Sequence, residues 1–377
     1  MRVRYESFGG IVAVDDPPAT VWVDHAYMRE LGYRASPLWK TDRTHLSAPV
    51  TVHFAITGRC RLGCGICSMS STPGMDAELS TAQAKQVLDT LSRMSVFTVA
   101  FGGGEPLYRP DVFELAAYAK TLGIVPTMTT NGMEMDRDKA RLCRVFDHVH
   151  VSLDGVGETY SAVRGVDGFD GAASAIRMLM LEGVSVGINT VVCRANFDGL
   201  EELARFLTGL GVRDVIFLRL KPVGRAASQY HAMKLSRSQR LSLYERISEL
   251  TLRYGLHAHV DCSMMPFIYY HGPEDKWLRL FGGDGCVAAN EILEIDPTGT
   301  MRACSFAPES AGNTLDLPQV WDNAPEFHAF RESTATSVEP CSSCRYVGLC
   351  RGGCRAVAAC LTGDPHAPDP ECLFVGD

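Results

Sequence analysis

The sequence predicts an α/β chain: a partial (β/α)6 barrel, preceded by a short N-terminal hairpin and followed by a cysteine-rich C-terminal domain. Two observations predict it. Between residues 50 and 220, short apolar runs alternate with segments of helical periodicity. Beyond residue 265 that alternation stops, and eight of the 14 cysteines fall there. The expected domains are 1–47, 48–265 and 266–377.

In the first segment Phe8 to Val14 reads as a strand, Asp15-Asp16-Pro17-Pro18 as a turn, and Thr20 to Val23 as a returning strand. A short helix follows from His25 to Leu31. Such a hairpin packs on the main domain, or offers its edge to an extended peptide by strand addition. Six strands are expected at 50–56, 96–101, 123–129, 148–153, 184–192 and 212–218. Helices are expected between them at 80–94, 110–122, 136–145, 171–182 and 200–210. Ser80 is placed to cap the first helix, and Pro110 to occupy the first turn of the second. Repeated strand–helix–strand units make a parallel sheet, and right-handed crossovers curl it toward a TIM-like barrel. In such folds chemistry gathers at the carboxyl ends of the strands. Residues 221–236 read as a basic, small-residue loop and 237–254 as an amphipathic helix. In the last segment, 291–296 and 300–303 read as short strands around a Pro297-Thr298-Gly299 turn.

Composition narrows the function classes. At 46% apolar and 21% charged residues the chain can bury a core, which excludes disordered and fibrous classes. No apolar run approaches the ~18 residues of a membrane span. Met1-Arg2-Val3-Arg4-Tyr5-Glu6 has no apolar signal core behind its charges. A cytoplasmic chain with no membrane partner is therefore expected. The net charge of −8 argues against a nucleic-acid partner held through phosphates. In a reducing compartment, 14 cysteines point to metal ligation rather than disulfides.

The first cysteine group is Cys60-Arg-Leu-Gly-Cys64-Gly-Ile-Cys67, directly after the first strand. Gly63 and Gly65 let so short a loop turn three thiolates toward one centre. Structural zinc wants four closed ligands, and no fourth is nearby. Three thiolates leave one iron of a four-iron cluster open to a cosubstrate. Gly102-Gly103-Gly104-Glu105-Pro106 follows the second strand, and Thr129-Thr130-Asn131-Gly132 the third. Val151-Ser152-Leu153-Asp154-Gly155 closes the fourth, ahead of Arg164-Gly165. Glycines permit close backbone approach to a ligand. Glu105 supplies a negative charge, Ser152 and Asp154 supply hydrogen-bonding oxygens, and Arg164 supplies a guanidinium that can make two parallel bonds.

In this ordered set at strand ends the chain resembles the radical SAM superfamily over residues 50–220. The resemblance implies that Cys60, Cys64 and Cys67 hold a 4Fe-4S cluster. It also implies that Gly103, Gly104, Glu105, Asn131, Ser152, Asp154 and Arg164 bind S-adenosyl-L-methionine. Ile66 stands where many members carry an aromatic residue.

The second cysteine group, Cys341-x2-Cys344-x5-Cys350-x3-Cys354, has Cys286 and Cys304 before it and Cys372 after it. This pattern resembles the SPASM extension, which carries two auxiliary 4Fe-4S clusters, making three clusters in all. The resemblance gives Cys341, Cys344, Cys350 and Cys372 to the outer cluster, with Cys360 competing for the last place. It gives Cys286, Cys304 and Cys354 to the inner one. Residues 280–285 hold no further cysteine, and Cys262 lies far upstream in the barrel segment. The fourth inner position is therefore expected to be open, with Cys262 or Asp284 the groups that could close it. Cys143, Cys193, Cys262 and Cys360 are left as small buried residues.

The resemblance implies a peptide maturase. It would abstract hydrogen from a ribosomally made precursor peptide through a 5′-deoxyadenosyl radical, forming a thioether or C–C crosslink. An external donor of flavodoxin or ferredoxin type would supply electrons. Forty-seven residues are too few for a full winged-helix leader-binding domain, so a separate leader-recognition protein is one expected partner. Sulfatase-type maturases carry an aspartate base where this chain has Ser305. The alternative is a dehydrogenase, decarboxylase or epimerase acting on an amino sugar, nucleoside or peptide.

Overall fold

The computed structural model describes residues 2–15, 18–272, 284–332 and 338–375. The expected turn at Asp16-Pro17 and the stretch 280–283 lie outside them. An N-terminal antiparallel sheet contains β1 (Arg2–Glu6), β2 (Gly9–Asp15) and β3 (Pro18–Asp24), in that order, and α1 (His25–Glu30) follows. The expected hairpin is β2–β3. The added strand β1 reads Arg-Val-Arg-Tyr-Glu, an alternation that mere inspection for a signal core passes over. Its polar side is buried, not solvated. Arg4 Nε donates to Glu6 Oε1 at 2.7 Å and Arg4 Nη1 to the carbonyl of Pro49 at 2.7 Å. Glu6 also accepts from the backbone and hydroxyl of Ser47. These bonds fasten the small sheet to the start of the barrel.

The barrel alternates β4 (Thr51–Thr57), α2 (Thr81–Arg93), β5 (Thr98–Gly103), α3 (Val112–Thr121), β6 (Val125–Thr130), α4 (Arg137–Leu142) and β7 (His148–Ser152). It continues with α5 (Glu158–Arg164), α6 (Phe169–Leu181), β8 (Val186–Val192), α7 (Leu200–Gly209) and β9 (Asp214–Arg219). Then come α8 (Ala226–Met233), α9 (Arg237–Tyr254) and β10 (His257–Val260). Strand β11 (Ile292–Ile295), β12 (Thr300–Arg302) and β13 (Gly312–Asn313) lie further on. Strands β4 to β10 run parallel, and β11 joins β4 in parallel on the other side. The sheet order is β10-β9-β8-β7-β6-β5-β4-β11-β12-β13, so the barrel is open.

Each helix buries one stripe. Helix α2 carries Ala84, Val87, Leu88 and Leu91, the i, i+3, i+4, i+7 pattern, behind a capping box of Ser80 and Gln83. The stripe packs in the same core as Val52, Phe54 and Ile56 of β4 and Val99 and Phe101 of β5. Register partners Phe54 and Phe101 stack with centroids 6.2 Å apart. Each such fully buried side chain contributes roughly 1.5–3 kcal/mol. Leu88→Ala would cost about 2–5 kcal/mol.

Two expectations need correction. Residues 221–236 are not all loop, because 226–233 form α8. Its buried face is Ala226 and Tyr230, too short a stripe to stand out among Ser, Gln and His. The sheet also does not stop at residue 265. Hairpin β11–β12 lies in the expected C-terminal domain, yet it extends the barrel's own sheet through Ile292–Ile295 beside Thr51–Phe54. Among the described residues no helix is long and apolar enough to cross a membrane.

Candidate cosubstrate and iron–sulfur sites

The carboxyl end of β4 leads into the first cysteine loop. The guanidinium of Arg225, beyond β9, pins that loop: Nε donates to the Cys64 carbonyl at 2.8 Å and Nη1 to the Ser71 carbonyl at 2.9 Å. The Arg225 amide donates to the Cys67 carbonyl at 2.9 Å, and the Gly65 amide to the Arg164 carbonyl at 2.7 Å. Asn131 Nδ2 and Arg164 Nη1 lie 3.6 Å from the sulfurs of Cys60 and Cys64 respectively. Burial pushes both thiols upward. The neighbouring Glu105 adds to the effect at Cys60, and Arg164 opposes it at Cys64. Arg225 is a residue that sequence reasoning missed, because a basic loop residue carries no local signal of its partner.

The loop after β5 is stitched to the first one. The Gly104 amide donates to Thr57 and the Glu105 amide to Arg59, each at 2.8 Å. Gly103 has φ +116°, and a Cβ on it would fall 2.3 Å from the Thr57 carbonyl. A Cβ on Gly104 would fall 2.2 Å from the Arg59 carbonyl. No other residue fits this cradle. Glu105 is fully buried and accepts from Thr130 Oγ1 and the Asn131 amide at 2.7 Å, and from the Leu107 amide at 3.2 Å. Burial nevertheless lifts its carboxyl to about 7.

Ser152 ends β7 half-buried. Asp154 is fully buried. One of its oxygens accepts from the Val191 amide at 2.7 Å, and the other lies 2.7 Å from Arg164 Nε. That charge contact is not directed as a hydrogen bond, so Asp154 Oδ2 and Arg164 Nε have no hydrogen-bond partner. Asp154 thus faces Arg164. Ile66 packs with Val163, Leu220, Ala226 and Tyr230 beneath the loop.

Cys341, Cys344, Cys350 and Cys372 line one cavity, walled also by the stacked pair Tyr269 and Tyr346. Cys360 is exposed on the helix 355–362, which corrects its reading as a buried residue. Cys143 and Cys193 are fully buried among core side chains. Cys286, Cys304 and Cys354 form a second, buried set near Lys221. Cys262 stands with them: burial, Asp261, Cys286 and Cys354 push its thiol well above its ordinary range. Among the described residues no three His, Cys, Asp or Glu are arranged to hold a single metal ion.

Sequence reasoning also missed a polar chain at the hairpin. His53 Nδ1 and Ser305 Oγ are 3.0 Å apart, and Ser305 donates to Glu294 Oε2 at 2.6 Å. Burial lifts Glu294 to about 8 and lowers the affinity of the His53 ring for a second proton. Glu294 and Ser305 line a cavity with Gly58, Ser68 and Met69 of the first cysteine loop and Val223 beyond β9.

The model of the radical SAM superfamily matches residues 54–207, and that of the SPASM iron–sulfur cluster-binding domain matches residues 286–345. Mycofactocin maturase MftC of Mycobacterium ulcerans is 35% identical, over 87% of this chain and 89% of its own. This chain is a radical SAM enzyme with a SPASM domain. An AdoMet-dependent heme synthase of Methanosarcina barkeri is 27% identical over 87% of this chain and 97% of its own. The crystal structure of Streptococcus suis SuiB bound to the precursor peptide SuiA is similar in fold, with a TM-score of 0.77 at 18% identity over 98% of both chains. That similarity in fold includes the N-terminal sheet. The radical SAM and SPASM domains imply S-adenosylmethionine and iron–sulfur clusters. The glycine cradle, the buried Arg164 and Glu105 side chains, and the gathered thiols fit such groups.

Proposed function

We propose that this radical SAM/SPASM enzyme is a maturase acting on a ribosomally made precursor peptide, joining two of its groups through a thioether or C–C bond. The observation that carries the reading is 35% identity to a maturase over 87% of the chain, against 27% to the heme synthase. The N-terminal sheet supports it, because β3 is an edge strand with Val21 and Trp22 exposed.

In this reading Cys60, Cys64 and Cys67 hold the first cluster. Gly103 and Gly104 let backbone approach S-adenosylmethionine, and Glu105 and Asn131 take its ammonium end. Arg164 takes its carboxylate, oriented by Asp154, and Ser152 reaches the ribose. Bound there, the cosubstrate supplies a carbon radical that removes hydrogen from an unactivated carbon. The remaining work is the chain's own. Arg225 keeps the cysteine loop against the barrel mouth. Glu294 and Ser305 face the same cavity and can exchange a proton with a substrate being oxidised. Cys341, Cys344, Cys350 and Cys372 hold an outer cluster and Cys286, Cys304 and Cys354 an inner one, three in all. An external flavodoxin or ferredoxin supplies electrons, and a separate protein can assist leader recognition.

Co-expression with any short peptide encoded beside the gene tests this. The expected product is the peptide lighter by two hydrogens per bond formed. The heme synthase favours a second reading, a small-molecule radical oxidation. It gains if the peptide is unchanged while a tetrapyrrole, sugar or nucleoside is consumed.

A further inference from the structure

The inner thiol set has a fourth member. Cys262 opens the turn after β10, and both of its neighbours are tied to the inner set. On one side, Asp261 pairs with the Lys221 ammonium, and that ammonium also sits 4.1 Å above the ring of Phe306, two residues past Cys304. On the other side, Arg219 Nη1 donates to the Ser263 carbonyl at 2.9 Å. The same guanidinium holds Asp369 with bonds of 2.6 and 3.0 Å, and Asp369 accepts from the Cys354 amide at 3.0 Å. A third relation is independent of both. Cys262 shares a cavity wall with Asp284 and Val287, which flank Cys286. Three separate relations therefore set the Cys262 turn beside the three inner cysteines, although the chain places it in the barrel segment.

We propose that Cys262 is the fourth thiolate of the inner auxiliary cluster, beside Cys286, Cys304 and Cys354. This rests on the reading of those three as ligands. Ligation releases the Cys262 thiol proton to solvent and closes the fourth iron with sulfur from the barrel. The inner cluster is then closed and binds no substrate thiol. It is left with electron transfer, and its position is set by the link from Lys221 and Arg219 to the barrel's last strands. Because Arg219 ends β9, Lys221 follows it and Cys262 follows β10, the ligand shell bridges the two domains.

The test uses the full chain carrying Cys60→Ala, Cys64→Ala and Cys67→Ala, so that only auxiliary iron is counted after anaerobic reconstitution. Iron is assayed, and the dithionite-reduced protein is examined by Mössbauer and electron paramagnetic resonance with and without potassium cyanide. The expected parent spectrum does not respond to cyanide. Cys262→Ala should either lose about four irons per chain or gain a cyanide-responsive site. Cys262→Ser, nearly isosteric, should keep the fold and shift the inner-cluster signal, while Asp284→Asn should change nothing. Parent protein that already responds to cyanide, or Cys262→Ala and Cys262→Ser spectra identical to the parent, would overturn the proposal. Cys286→Ala separates the two levels of argument. If it removes a cluster while both Cys262 variants are silent, only the fourth-ligand proposal fails. If it too is silent, the inner-cluster reading fails.

Discussion

Ser305, one residue past Cys304, donates to Glu294 over 2.6 Å, and Glu294 lies directly across the parallel β4–β11 pair from His53. Burial raises Glu294 from an ordinary 4.5 to about 8. Below 4.5 both the folded and unfolded chains keep this proton. Between 4.5 and 8 the unfolded chain releases it and the folded chain does not, so stability falls as pH rises. Above 8 both have released it. Glu294→Gln should flatten this slope in urea midpoints taken from pH 5 to 9. Glu105 and Glu291, raised to about 7 and about 6, retain the rest of it. An unchanged slope would mean that Glu294 is ionised in the fold.

Glu105 leads to a prediction of opposite sign. Its carboxylate form is the one that attracts an ammonium. Affinity for S-adenosylmethionine should therefore weaken as pH falls below about 7. Glu105→Gln should bind about 10- to 150-fold more weakly, the value of roughly 1.5–3 kcal/mol for a charge-assisted bond, and lose the pH dependence. Anaerobic titration calorimetry at pH 6 and 8 checks both.

The buried pair Asp154–Arg164 orders a third test. Asp154→Asn leaves the Arg164 charge without its counter-ion, at a cost of about 3–5 kcal/mol in stability. Cosubstrate affinity should fall with it. Unaltered melting and affinity would show that Arg164 is held by its Cys64 and Tyr160 contacts without Asp154.

Arg219 supports the C-terminal ligands. It binds both Asp369 and Glu371, and Glu371 also accepts from Tyr230 Oη at 2.8 Å. Burial opposes ionisation of Glu371, but Arg219, Lys234 and Tyr230 hold it down to about 2. Arg219→Leu leaves Asp369 without its cation, while Glu371 keeps Lys234, and should cost about 3–5 kcal/mol. Arg219→Lys keeps the charge but not the fork, and should recover part of it. Thermal melting of iron-loaded protein measures both, and equal losses would mean that charge alone matters.

The alternation from 50 to 220 made the barrel legible, because parallel strands buried on both faces read as apolar runs between helical stripes. The strand-end motifs were legible for the same reason: Gly103, Gly104 and Glu105 sit where a β strand stops. What could not be read is what long-range packing decides. Strand β11 looks like part of a local hairpin, yet its parallel partner is β4, more than two hundred residues earlier. Cys262 looks isolated along the chain, and the Lys221 and Arg219 contacts reveal its neighbours. Asp154 reads as a ribose ligand by its place in the motif, while its burial turns it to Arg164.

In the proposed reaction a radical generated at the Cys60–Cys67 loop takes hydrogen from a peptide. The direct measurement supplies the reconstituted enzyme, reductant and S-adenosylmethionine with a candidate precursor peptide fully deuterated on carbon. Mass spectrometry then follows 5′-deoxyadenosine and peptide together. The account predicts deuterium in the deoxyadenosine, formed in step with a peptide that has lost hydrogen isotopes in pairs. Deoxyadenosine free of deuterium, beside an unmodified peptide, would contradict it.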